Sequence, residues 1–76
     1  VKNLSDIMIH IDEPLSQTHR NTLEERMRAL PGVIAVRFNP GKNHLLLIAF
    51  DPDQVRPIAL LAQAKSIGYT AQLVGA

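Results

Sequence analysis

Between Asp12 and Arg20 the chain reads Asp-Glu-Pro-Leu-Ser-Gln-Thr-His-Arg, and no other stretch gathers so many ligand-capable groups on irregular backbone. Asp12 and Glu13 offer carboxylate oxygens, Ser16 a hydroxyl and His19 an imidazole. That donor set suits a borderline divalent ion: Zn, Ni, Co or Cu(II). A helix beginning near Ser16 disfavours a protonated imidazole in its first turn, which leaves a neutral His19 ring available as a ligand. The competing reading is an exposed first-turn histidine behind a Ser16 cap. Thiolate metal sites, disulfides and thiol catalysis are excluded, because there are no cysteines. The same stretch makes a poor enzyme. Ser16 and His19 lie on one turn with no orienting carboxylate, and Arg20, the one candidate for cradling a phosphate, sits in a loop without glycine.

The elements that must position these groups follow from periodicity. Ile7, Ile9 and Ile11 alternate with Met8 and His10, the pattern of a strand buried on one face, and Asp12-Glu13-Pro14 ends it. A helix is expected from about Ser16 to Leu30, with Leu23, Met27 and Leu30 as its inward stripe and Arg20–Glu24 and Glu24–Arg28 as surface charge pairs. Pro31-Gly32 stops it, Gly32 suiting a left-handed C′ position. A second strand covers Val33 to Asn39, with Val36 and Phe38 on one face. Pro40-Gly41 fits the centre of a type II turn, and His44 to Phe50 forms a third, almost wholly apolar strand. A second helix is expected over about Gln54 to Ile67, with Val55, Ile58, Leu61, Ala62 and Lys65 at helical spacing and Pro57 in or near its first turn. Gly68 closes that helix, and Tyr69 to Val74 is the last strand.

This order, βαββαβ, implies an α+β, ferredoxin-like sandwich: a four-stranded antiparallel sheet of order 4-1-3-2 with both helices on one face. In that topology the start of the third strand lies at the same end of the sheet as the Asp12–Arg20 loop. His44 therefore enters near the loop, and faces it if it shares the side of Leu46 and Ile48. His10 alternates with the buried isoleucines and points to the helix-free face. A histidine chelate is expected to use His19 and His44, not His10.

Composition narrows the classes. Seventy-six residues make one domain, spanning 1–76, and a chain of this size buries only about 60% of its unfolded surface. A hydrophobic fraction of 46% argues against disorder. The net charge of +1 and three scattered aromatics leave no footprint for nucleic acid. No apolar run reaches the roughly 20 residues of a membrane-spanning helix, so direct membrane insertion is not expected, although a membrane-bound parent protein fits equally well. With no signal pattern in the sequence, the expected location is cytoplasmic.

Three blocks resemble one family. Leu30-Pro31-Gly32-Val33 followed by Val36, Phe38 and Asn39 is similar to the "LPGV…V.VN" stretch of heavy-metal-associated domains. Phe50-Asp51-Pro52 resembles their "YDP", and Gly68-Tyr69-x-Ala71-x-Leu73 their terminal "GYxAxL". The resemblance covers the chain from Ile7 onward and implies a module of metal-ion transport or homeostasis with no catalytic activity. In that family the metal is held by a Met-x-Cys-x-x-Cys loop between the first strand and the first helix. Counted back from Val33, the two cysteine positions fall on Ser16 and His19, and Pro14 stands where the methionine would be. A hydroxyl and an imidazole do not replace two thiolates for Cu(I) or Hg(II). The resemblance thus implies a variant whose thiolate site is lost, acting by protein–protein contact or by weak binding of a divalent ion.

The resemblance also places Leu46, Ile48 and Phe50 inward, so that Leu45, Leu47 and Ala49 point to the uncovered sheet face beside Met8 and His10. Apolar residues in the middle of an uncovered sheet mark an interaction surface, for another protein domain or a second copy of the chain. The alternative reading is a homo-oligomeric interaction or small-ligand sensory domain unrelated to metals, as ferredoxin-like domains of the amino-acid-binding kind are.

Overall fold

The isoleucine alternation becomes β1 (Ser5–Ile11), with Ile9 and Ile11 fully buried and Met8 and His10 turned the other way. A computed structural model describes residues 4–74. After β1 come α1 (Gln17–Arg28), β2 (Val33–Asn39), β3 (Lys42–Phe50), α2 (Pro57–Ser66) and β4 (Ala71–Val74). The sheet order is β2-β3-β1-β4 with every pair antiparallel, as the βαββαβ order requires. Sheet residues Ile9, Ile11, Val36, Leu46, Ile48 and Phe50 meet Leu23 and Met27 of α1 and Leu60, Leu61 and Ala64 of α2 in one core. Each of these side chains larger than alanine contributes roughly 1.5–3 kcal/mol by leaving water.

Helix α1 starts behind Ser16, whose extended backbone and side-chain oxygen cap it. It closes earlier than its stripe predicts, at Arg28 with Ala29 as C-cap, so Leu30 is only half-buried beyond the helix end. Gly32 is left-handed, with φ +91°, but it lies three residues past the C-cap and shapes the entry to β2 instead of ending the helix. The charge pairs expected along α1 divide. Arg28 stands 4.0 Å from Glu24, whereas Arg20 turns back to the loop.

Helix α2 begins at Pro57, three residues later than expected. A residue preceding proline is excluded from helical backbone, and Arg56 accordingly sits at φ −107°, ψ 151°. Its inward face is Leu60, Leu61 and Ala64, while Ile58 is 65% exposed and Ala62 and Lys65 face water. The run Ile58–Ala62 is apolar on every side, so spacing alone does not select its buried face. Gly68 follows the C-cap Ile67 as the expected left-handed residue, with φ +112°. The Pro40-Gly41 turn joins β2 to β3, and Gly41 takes the positive φ of +77° that a type II turn requires.

Candidate functional site

The Asp12–Arg20 loop is held by its own donors and acceptors. The Asp12 N–H donates to the Thr70 carbonyl at 3.0 Å, and the Thr70 N–H donates to Glu13 Oε1 at 2.8 Å. Hydrogen bonds from the Thr70 side chain first, and then from its backbone, hold the Glu13 carboxyl below its usual value. Arg20 locks the turn from the helix side: Nη1 donates to the Leu15 carbonyl and Nη2 to Gln17 Oε1, both at 2.7 Å. Ser16 Oγ accepts the His19 N–H at 3.1 Å, so the hydroxyl serves as the helix cap. The His19 residue is exposed. Asp12, Glu13, Ser16, Gln17 and Arg20 thus each have a structural task. Among the described residues, no three of His, Asp and Glu are grouped so as to hold a metal ion.

The five residues expected as ligands are dispersed. Asp12 Oδ1 lies 3.0 Å from His10 Nδ1, Glu13 answers to Thr70, and Ser16 caps α1. His44 meets His10, not the loop: the two rings stack with centroids 5.8 Å apart and planes 21° apart. His44 Nδ1 lies 2.7 Å from the Ile11 carbonyl, which can only accept, so this nitrogen carries the hydrogen. Strict alternation along β3 would have put His44 with Leu46 and Ile48. The β2–β3 ladder, however, shifts register between Phe38 and Asn39, because residues 43–45 form an extra loop of strand opposite that step. That irregularity is the physical reason the sequence pattern mispositions His44.

The sheet face without helices carries the other expected residues. Met8, Leu45, Leu47 and Ala49 are all half-buried there, with His10 beside Leu45 at one end. Met8 stands opposite Leu47 on one side and Val74 on the other, which makes a continuous apolar row across three strands. A shallow groove of roughly 820 Å³ runs over this row, with Asp6 on β1 and Arg37 on β2 at its margins.

Two side chains escaped sequence reasoning. Glu24 Oε2 accepts the Phe38 N–H at 3.1 Å and Arg28 Nη2 donates to the Val36 carbonyl at 3.2 Å, so α1 reaches down to the backbone of edge strand β2. Their i, i+4 spacing was visible, but it pointed to a surface ion pair and not to a shared task on another element.

The backbone as a whole is similar to solved metal-binding domains. It matches the N-terminal domain of a potential copper-translocating P-type ATPase from Bacillus subtilis in the Cu(I)-loaded state, with a TM-score of 0.85 at 18% identity over 96% of this chain and 90% of that one. Oxidized MerP from Ralstonia metallidurans CH34 matches with a TM-score of 0.84 at 12% identity, over 96% and 100% of the two chains. The putative copper-ion-binding protein from Bacillus anthracis str. Ames gives a TM-score of 0.83 at 17% identity, over 95% and 100%. The chain has the heavy-metal-associated fold. At these identities the likeness speaks for fold alone. No protein-family model and no curated protein sequence matches the chain. The heavy-metal-associated fold is here built without any cysteine, and Ser16 and His19 occupy the turn that opens α1. Among the described residues no helix is long and apolar enough to cross a membrane.

Proposed function

We propose that this chain is a non-enzymatic module of a metal-ion transport or homeostasis system, with its thiolate site lost, that works by protein–protein contact through the open sheet face. The observation that carries this reading is the apolar row Met8–Leu47–Val74 lying across a face that no helix covers, in a fold shared with a putative copper-ion-binding protein and a domain of a potential copper-translocating ATPase. The occupant that best fits the face is a second copy of the same chain. Asp6 and Arg37 flank the groove with opposite charge on opposite sides of β3. A two-fold axis running along β3 brings Arg37 of each copy over the Met8 row of the other, one step from Asp6. The loop itself contributes no soft-metal chemistry, since its hydroxyl caps a helix and it has no sulfur.

Light scattering on the chain over a concentration range tests the reading. A mass that rises to that of a dimer, and a Leu47→Glu variant that stays monomeric with an unchanged circular-dichroism spectrum, are the expected results. A monomer at millimolar concentration removes self-pairing as the mode of contact.

A further inference from the structure

Sulfur occurs at two places in this chain, Met8 and Met27, and there is no cysteine to compete for an oxidant. The fold treats the two thioethers differently. Met27 is fully buried, in one core with Leu23 and Ile48. Met8 lies half-buried on the helix-free face and lines the groove there, with Leu47 opposite it on β3 and Val74 opposite it on β4. It is therefore the thioether that solvent reaches, and it stands in the middle of the apolar row. Methionine oxidation follows access and turns a flexible apolar side chain into a polar one, which disrupts surfaces that depend on it.

We infer that Met8 is an oxidant-sensitive site: a hydroperoxide converts its thioether to the sulfoxide, and the sulfoxide opposes pairing through the sheet face. The second half rests on the self-pairing reading given above. In the step, a sulfur lone pair attacks one peroxide oxygen, and an S–O bond forms as the O–O bond breaks. Sulfur gives up two electrons, and with hydrogen peroxide the other oxygen takes the proton and leaves as water. The new oxygen is an acceptor set between Leu47 and Val74, whose side chains donate nothing, and a covered face excludes the water that would satisfy it. Arg37 of a second copy, if turned to this oxygen, is drawn from Asp6, so one contact is exchanged for another. Pairing in turn shuts Met8 away from peroxide. Oxidation and self-association therefore oppose each other at one side chain.

Light scattering and intact-mass spectrometry on the whole chain, before and after hydrogen peroxide, test the inference. A single added oxygen is expected, placed on Met8 by fragment masses, with Met27 spared while the chain is folded. The dimer dissociation constant should rise at least about tenfold, and methionine sulfoxide reductase should restore both mass and pairing. Oxidation of Met8 should slow as chain concentration rises. Met8→Leu should pair like the parent and stay paired after peroxide. Met8→Gln should pair as weakly as the oxidised chain, both variants keeping the parent circular-dichroism spectrum. Met27 oxidised as fast as Met8 in the folded chain, or an oxidised chain that pairs as tightly as the parent, overturns the inference and leaves self-pairing standing. A chain that is monomeric before any peroxide is added fails the self-pairing reading itself, and the coupling with it.

Discussion

Ser16 is a cap before it is anything else. Its oxygen takes the His19 N–H, and an N-cap serine contributes about 1 kcal/mol to helix stability. The double variant Ser16→Cys, His19→Cys installs two sulfurs in the turn that opens α1. It should acquire Cu(I) in competition with a chromogenic chelator where the parent chain acquires none, and melt about 4–8 °C lower for the lost cap. Glu13 supplies a pH dependence. Its carboxyl is held below the ordinary value of 4.5 in the folded chain, so the unfolded chain takes up the proton first as pH falls. The stability it contributes is complete above that ordinary value and disappears as pH drops through the folded one. Urea unfolding of the parent chain and of Glu13→Gln should therefore differ at neutral pH and converge in acid. At this scale a cap at Ser16 or Thr18 was legible from residue type and place, and the structure uses Ser16. The position of His44 was not, because an irregular ladder step overrides alternation and no residue type announces it.

Among the elements, the turn between α1 and β2 has the least tolerance. A Cβ at Gly32 would stand 2.7 Å from the Gln54 Cβ and 3.1 Å from Val55 Cγ1, on backbone that is left-handed. The Gly32 carbonyl also accepts the Asp51 N–H at 2.7 Å, so the turn cannot swing away without loosening the start of the β3–α2 connection. Gly32→Ala should destabilise the chain by about 2 kcal/mol or more in denaturant unfolding. Gly41→Ala, where a Cβ meets nothing within 4 Å, should cost only about 1 kcal/mol of backbone strain. Buried Asp51 fixes the turn ahead of α2. Its Oδ1 accepts the Asp53 N–H and its Oδ2 the Gln54 side chain, both at 2.9 Å, whereas the N-cap of α2 itself, Arg56, makes no side-chain cap bond. Element type and order were legible because periods of two and of about 3.6 are distinct. The start and buried face of α2 were not. Proline shifts the start through its neighbour's backbone, and an all-apolar run leaves the face to tertiary packing.

For the molecule as a whole, the two faces of the sheet have different destinies. One is sealed by helices; the other carries an apolar row in line with Arg37 on β2, with Asp6 one step along β1. If that face pairs about a two-fold axis, Asp6→Arg and Arg37→Asp should each weaken the dimer, and the double variant should restore it, in sedimentation runs at low salt. The outward set Leu45, Leu47 and Ala49 was legible only through the family pattern, since the strand that carries it is apolar on both sides.

The clamp of Glu24 and Arg28 on β2 bears on how such a molecule ages in a crowded solution. A bare strand edge is a template on which further chains add, one after another, towards fibrils. Here one edge has the Phe38 N–H and the Val36 carbonyl already occupied, and the other, β4, is only four residues long. Sheet extension is blunted at both ends, while a face-to-face contact about a two-fold axis is complete after two copies. The helix side chains thus oppose open-ended growth at the β2 edge and leave a face-to-face contact untouched.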